Sequence, residues 1–210
     1  MQSNNIHNNV IRQYGRLARK YDTVWKKYNT ATIDETLKRV DTAGSKTILD
    51  IGCGTGTLLD EVQQRENGIQ TFGCDLSFEM LRQTTQKENG NLLHVSVADA
   101  TALPYPSDRF DTVFSTSVFH FIRNPNAALN EMYRVLKPNG RLILTDWCRR
   151  YRSIRMLDSL LKYIDRTHYR CYNLDECIKM LNDAGFSIER ADCYKISSIW
   201  GMMTMVSRKM

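Results

Sequence analysis

The stretch KTILDIGCGTGTLLDEV, residues 46–62, constrains the fold more than any other part of this 210-residue chain. An apolar, β-branched run leads into glycines at positions 52, 54 and 56, and a helical pattern follows. Because glycine has no Cβ, the backbone can turn sharply there and come close to a ligand. Strand, glycine turn and helix in this order are typical of open α/β sheets, which bind ligands at the carboxyl ends of their strands.

Strand and helix patterns alternate along the rest of the chain. The predicted strands are TILDI, IQTFGCD, NLLHVSVAD, FDTVFSTS and RLILTDW, followed by a closing pair at about 186–194 and 199–207. The short connection within that pair predicts antiparallel pairing. The predicted fold is therefore α/β, a Rossmann-like, doubly wound, mostly parallel seven-stranded sheet with an antiparallel last strand.

Composition narrows the class of protein. The hydrophobic content of 42% and charged content of 25% are those of an ordinary globular domain. No apolar run approaches a membrane span, and the polar start MQSNNIHNN lacks a signal peptide's apolar stretch, so a cytoplasmic location is expected. The six cysteines form no C-x-x-C pair, so neither a metal site nor a disulfide framework is predicted.

The residues around the glycines indicate what kind of ligand they face. A dinucleotide fingerprint would place its third glycine at position 57, where this chain has Thr57, and a Walker A loop is absent. Asp50 precedes the glycines, and a carboxylate suits a cation better than a phosphate. Asp75 ends the second strand, where an acid can accept both ribose hydroxyls, and Asp99 ends the third, where it can accept an adenine amine.

Five motifs then occur in a specific order over about residues 46–146: LDIGCGTG, GCDLS, VADA, FDTVFSTSVFHFI and EMYRVLKPNGRLIL. With them the chain resembles class I S-adenosylmethionine-dependent methyltransferases of the type 11 group, similar to ubiquinone and menaquinone methyltransferases. The stretch YGRLARKYDTVW resembles the N-terminal lid element of the same group. The resemblance implies methyl transfer from S-adenosyl-L-methionine.

The resemblance also implies which residues bind this cofactor. They are Asp50, Gly52, Gly54 and Ser115 at the methionine part, Asp75 and Leu76 at the ribose, Asp99 and Ala100 at the adenine, and Tyr14 and Tyr21 from the lid. Helix-capping or loop roles for the acids, and a core role for the tyrosines, are the alternatives.

The same resemblance organises the chain as one methyltransferase domain over residues 1–210. Residues 1–40 would form a helical lid, residues 46–146 the cofactor-binding core, residues 149–170 a basic helical cap inserted after strand five, and residues 171–210 a helix and strand pair. In the cap, IRMLDSLLKYI predicts an amphipathic helix with Ile154, Leu157, Leu161 and Ile164 on one face.

Methyl transfer from a sulfonium is an in-line displacement, so the protein mainly aligns acceptor and methyl carbon. A general base is needed only when the acceptor arrives protonated. His120 is the candidate base near the mouth of the predicted site, and a hydrogen-bonded structural histidine is the alternative. The exit of strand four has STSVFHF in place of the [DN]-P-P-[YF] turn of enzymes that methylate planar amino groups.

Charge suggests where the methyl acceptor would bind. The net charge is +6, and residues 1–28 and 149–170 each carry +5. We expect these two segments to cover an acceptor pocket lined by Trp25, Leu157 and Leu161. Such a pocket suits a small apolar or anionic acceptor, or an acceptor presented at a membrane surface. One alternative is an RNA methyltransferase, which the absence of an added RNA-binding domain disfavours. The others are an arsenic or thiol methyltransferase that uses Cys148, Cys171 and Cys177, and a non-catalytic protein that only binds the cofactor.

Overall fold

A computed structural model describes residues 3–66, 68–86 and 93–210. The strands of these residues are β1 (Thr47–Ile51), β2 (Gln70–Asp75), β3 (Leu93–Val97), β4 (Phe110–Thr116), β5 (Leu136–Trp147), β6 (Phe186–Lys195) and β7 (Gly201–Lys209). The helices are α1 (Ser3–Val24), α2 (Lys26–Leu37), α3 (Thr57–Arg65), α4 (Phe78–Gln86), α5 (Pro125–Val135), α6 (Arg152–Ile164) and α7 (Leu174–Asp183). A short 3₁₀ helix, Phe119–Phe121, follows β4.

The seven strands form one sheet in the order β3-β2-β1-β4-β5-β7-β6. The pairs from β3 through β5 are parallel, and β7 is antiparallel to both of its neighbours. The predicted fold class is therefore confirmed. The strand order reverses between β1 and β4, which opens a crevice at their carboxyl ends.

Helices cover both faces of the sheet. Buried residues of α5 and α7, such as Leu129 and Leu181, pack on one face, while α2, α3 and α4 contribute residues such as Leu37, Leu59 and Leu81 to a second cluster on the other. Because both faces are buried, all five residues of β1 are buried as well. The sheet therefore holds the strand ends rigidly in place.

Two regions differ from the predicted pattern. The segment predicted as a helical lid, residues 1–40, contains two helices, of which the first ends at Val24 and the second starts at Lys26. The residues KPNG, which precede the predicted strand RLILTDW, lie inside β5, where the pairing with β4 shifts and Asn139 has a φ of 64°. Proline and glycine in that stretch mark a bulge of the strand instead of its start. The first residues of the third predicted strand, 91 and 92, lie outside the described residues.

The α6 helix packs beyond the carboxyl end of β5, over a third buried cluster built around Trp147, Ile154 and Met202. Tyr151 directly precedes this helix, and its ring lies so close to Gly201 that a Cβ added there would be 2.1 Å from the ring. In the part of the chain described here, no helix is both long and apolar enough to cross a membrane.

Candidate ligand-binding cleft

A cleft of about 500 Å³ opens at the carboxyl ends of β1, β2 and β4. Helix α1 closes one side of it, and the turn after β1 forms its floor. Most of the residues predicted to bind the cofactor line this cleft: Tyr14, Tyr21, Gly52, Gly54, Asp75, Leu76, Asp99 and Ala100. The structure therefore brings together side chains from four separate parts of the sequence.

The glycine turn has a conformation that other residues rarely adopt. Gly52 and Gly54 have φ values of 72° and 56°. A Cβ at position 52 would lie 2.3 Å from Cγ2 of Val118, so there is no space for one. The Gly52 amide donates to the carbonyl of Cys74 at 2.7 Å, which ties the turn to the end of β2. This arrangement brings the backbone itself to the surface of the cleft.

Asp50 lies behind the turn, 3% exposed, beside a small recess of about 60 Å³ that shares Gly52 and Thr116 with the cleft. Its Oδ1 and the Thr116 hydroxyl have no hydrogen-bond partner among the described residues. Burial, and then the nearby charge of Asp75, raise the pKa of Asp50 well above its usual value. A buried carboxyl oxygen without a partner is costly, so a cationic ligand at this recess would be stabilised.

Asp75 joins the glycine turn to the next helix. Its Oδ2 accepts a hydrogen bond from the Gly54 amide at 3.0 Å and its Oδ1 one from the Ser77 amide at 2.8 Å. Burial raises the pKa of this carboxyl group, and the backbone donors partly offset that rise. Each carboxylate oxygen keeps a second acceptor site, so Asp75 can still accept hydroxyl groups from a ligand.

The far end of the cleft is formed after β3. Asp99 accepts hydrogen bonds from the amide and hydroxyl of Thr101, both at 2.8 Å, and its other oxygen lies 3.3 Å from Nδ1 of His7. Ala100 lines the wall beside it. The sequence interpretation missed His7, although positions 7, 10, 14 and 21 follow a helical spacing that predicts one shared face.

Helix α1 brings the two predicted tyrosines to the cleft. The ring centroids of Tyr14 and Tyr21 are 6.1 Å apart, and Tyr14 meets Phe121 edge to face at 5.7 Å. Burial raises the pKa of Tyr21 to about 12 and that of Tyr14 well above its usual value. Both phenols are therefore protonated at neutral pH and can donate hydrogen bonds.

Ser115 is fully buried and is not among the cleft-lining residues described here. The next two residues, Thr116 and Ser117, line the cleft in its place. Ser117 has a φ of 58°, and its hydroxyl lies 2.6 Å from that of Tyr28. Because side chains alternate along a strand, Thr116 at the end of β4 faces the cleft where Ser115 does not, and Ser117 lies beyond the end of the strand.

His120 is buried and does not itself line the cleft, although its ring centroid is 4.0 Å from that of Phe121, which does. Its Nδ1 is 2.7 Å from Oδ1 of Asp146, its amide donates to the other oxygen, and its ring stacks on Trp147 at 4.1 Å. Its carbonyl accepts from the amides of Tyr169 and Arg170. Through these contacts His120 joins the end of β5 to the loop after α6. Its role as a general base stays a prediction.

Three potential metal ligands lie together near this loop: Asp158, His168 and Cys171 are within 4.8 Å of one another and are buried. Asp158 also contacts Lys162 at 3.0 Å and Arg149 at 3.4 Å. Since these cations and His168 already compensate the carboxylate, the cluster is explained as a buried ion-pair network.

The other residues expected near an acceptor are also apart from the cleft-lining set. Cys148, Cys171 and Cys177 are buried, and burial raises the pKa of each thiol. Leu157 and Leu161 pack on the cluster under α6. Trp25 meets Trp200 edge to face, at 6.2 Å between ring centroids.

Comparison with known proteins agrees with this geometry. Residues 49–144 match the family described as "Methyltransferase domain". The chain is 30% identical to phosphoethanolamine N-methyltransferase 3 of Arabidopsis thaliana over 158 residues, which cover 74% of this chain and 31% of that protein. It is 33% identical to demethylmenaquinone methyltransferase of Streptomyces avermitilis over 126 residues, covering 60% of this chain and 50% of the relative.

The solved structures show the same architecture. A chain from the complex between the Haloferax volcanii Trm112 methyltransferase activator and a methyltransferase superposes with a TM-score of 0.82 at 22% identity, covering 93% of this chain and 96% of that one. The match over residues 49–144 and the demethylmenaquinone methyltransferase relative support a class I S-adenosylmethionine-dependent methyltransferase domain in that part of the chain. The superposition shows that the fold is shared. The chain spans about a third to a half of the length of the curated relatives described above.

Proposed function

We propose that this protein transfers the methyl group of S-adenosylmethionine to a small-molecule acceptor. The observation that carries the proposal is the position of Asp50, Asp75 and Asp99 at the ends of three neighbouring strands, along one cleft beside a glycine turn. Their spacing suits a ligand with a cationic end, a ribose and an adenine in sequence.

Different residues of the cleft and the recess would bind different parts of such a ligand. Asp50, with the Gly52 and Gly54 backbone, would hold the amino-acid end at the recess, where the Oδ1 atom of Asp50 lacks a partner. Asp75 and Leu76 would bind the ribose, and Asp99 and Ala100 the adenine. Tyr14 and Tyr21 of α1 would cover the ligand as a lid.

The cofactor supplies an electrophilic methyl group on a sulfonium, so the protein's part is to position the acceptor and exclude water. Phe121, Tyr14 and Val10 line the cleft and would limit the access of water to a bound cofactor. The buried position of His120 supports a positioning role through Asp146. Catalysis by alignment, without a base in contact with substrate, is what these residues support best.

The acceptor class is proposed from the cleft and from the relatives. The relatives' names refer to phosphoethanolamine and demethylmenaquinone. A cleft of about 500 Å³ has room for the cofactor together with a small acceptor. We place the protein in the cytoplasm as a prediction.

A turnover screen tests this proposal. The full chain is incubated with S-adenosylmethionine and, separately, phosphoethanolamine, quinols, phenols, amines, thiols, arsenite and bulk tRNA, and S-adenosylhomocysteine is measured. We expect product with one class of small organic molecule and background with tRNA and arsenite. Methylation of tRNA or of arsenite, with no small organic acceptor active, would contradict the proposed acceptor class.

The raised pKa of Asp50 predicts that cofactor binding releases a proton. In the free protein, burial favours the neutral carboxyl group, whereas a bound ammonium favours the carboxylate. Below the free-protein pKa of Asp50, affinity for S-adenosylhomocysteine should therefore rise with pH, by up to about tenfold per pH unit for one proton, and level off above that pKa.

Calorimetry in two buffers of different ionisation enthalpy measures the released proton directly. Asp50→Asn removes this titrating group, so it should bind more weakly and show a smaller difference in binding enthalpy between the two buffers than the wild type. If the wild type shows no buffer dependence at any pH where it binds, Asp50 does not face the ammonium group.

A further inference from the structure

Helix α6 exposes an unusual amount of apolar surface. Met156 is 75% exposed, Leu160 54%, Tyr163 90% and Ile164 65%. Steps of three and four residues place these four side chains on one stripe of the helix, which we call the outer stripe. Its opposite side, through Ile154, packs on the cluster around Trp147. An apolar stripe that faces water on a packed helix marks an interaction surface.

Basic side chains flank the outer stripe. In the described ranges, no carboxylate oxygen lies within 4.0 Å of the guanidinium nitrogens of Arg150, Arg152 or Arg155. Arg149 and Lys162, by contrast, are compensated by the buried Asp158. Arg150 and Arg155 also line a groove of about 570 Å³, whose other side carries Asp175 and Glu176 at the start of α7. The uncompensated arginines select for a negatively charged partner.

More exposed apolar residues lie near the same buried cluster. Val24 is 59% exposed and Ile199 56%, and each adjoins a tryptophan in the chain. Those two tryptophans, Trp25 and Trp200, meet edge to face, and Trp200 packs on the cluster beneath α6. Tryptophan beside exposed aliphatic residues is typical of surfaces that contact the headgroup region of a bilayer.

We propose that α6 lies on the surface of an anionic lipid membrane, with the outer stripe inserted between the headgroups and Arg150, Arg152 and Arg155 on the lipid phosphates. Charge complementarity favours this occupant over a second copy of the chain, because two copies of this basic helix would repel each other. The pattern is that of an interfacial amphipathic helix, which combines apolar insertion with attraction to anionic lipids. The inference does not rest on the proposed methyl transfer.

Vesicle flotation of the full chain tests the membrane contact. Vesicles of phosphatidylcholine alone are compared with vesicles of phosphatidylcholine mixed with phosphatidylglycerol, at low and at high salt. We expect binding to the mixed vesicles at low salt, and weaker binding to the neutral vesicles or at high salt, where surface charges are screened.

Two variants separate the apolar and the charged contributions. The triple variant Met156→Ser, Leu160→Ser, Tyr163→Ser should reduce partitioning about tenfold or more on anionic vesicles. Arg152→Gln with Arg155→Gln should reduce it about tenfold and weaken the preference for anionic lipid. The matched control, Phe78→Ser with Arg82→Gln, removes an apolar and a basic side chain from α4 and should bind like the wild type.

Several results would overturn the proposal. One is failure of the wild type to bind anionic vesicles at low salt, and another is equal binding by all variants. A third is a dimer in light scattering that the triple variant converts to a monomer, since the outer stripe would then contact a second copy. Circular dichroism and S-adenosylhomocysteine calorimetry on each variant report folding and the cofactor site separately from membrane binding.

Discussion

Asp75→Asn should lose about 10- to 100-fold in affinity for S-adenosylhomocysteine while remaining folded. A hydrogen bond to a charged acceptor contributes about 1.5–3 kcal/mol to binding. Losing that energy raises the dissociation constant by about 10- to 100-fold. The amide replacement keeps one acceptor oxygen for the Gly54 or Ser77 amide but loses the charge and one of the two oxygens. Calorimetric titration of purified protein measures the change.

The control for this variant is Asp108→Asn, which removes an exposed carboxylate that pairs with Lys209 and does not line the cleft. It should bind S-adenosylhomocysteine like the wild type. Thermal unfolding distinguishes a folded, weak-binding Asp75→Asn protein from a misfolded one. An unchanged dissociation constant in a folded Asp75→Asn protein would refute the ribose assignment.

Gly52→Ala should lower the free energy of unfolding by about 2–5 kcal/mol and abolish measurable cofactor binding. The left-handed conformation of Gly52 costs a residue with a Cβ about 1–2 kcal/mol. The added methyl would also overlap Val118, and crowding of this kind costs about 1–3 kcal/mol more. Denaturant unfolding gives the first quantity and calorimetry the second.

A second glycine separates these two costs. Gly44 has a φ of 84°, but an added Cβ there would meet nothing within 4 Å. Gly44→Ala should therefore cost only about 1–2 kcal/mol and leave binding intact. Val118→Ala in the Gly52→Ala background should recover part of the lost stability, because the two positions are in contact. Equal losses for both glycine variants would mean that Val118 moves aside freely.

The positions of the acidic residues at the strand ends could be predicted from the sequence because the order and direction of the strands determine them. Parallel strands end at one edge of the sheet, so Asp75 and Asp99, at or just after the ends of two strands, had to lie near the turn beyond Asp50. Ser115 was one residue from the positions that line the cleft. The exact end of a strand depends on pairing with its neighbours, and a difference of one residue reverses the side-chain direction.

The α6 helix shows a second limit of sequence patterns. Periodicity predicted one apolar face containing Ile154, Leu157, Leu161 and Ile164, and the first three do pack on or into the buried cluster. Ile164 instead belongs to the outer stripe. A helical period identifies apolar positions, but only the surrounding packing decides which of them the rest of the chain covers.

The close approach of Tyr151 to Gly201 has a consequence for how this protein can vary. Tyr151 precedes the first residue of α6, and Gly201 starts β7, fifty positions later. The ring fills the volume that any side chain at position 201 would need. Neither position can change freely while the other is kept, so we expect the pair to be inherited together, and sequences with a side chain at 201 to carry a small residue at 151.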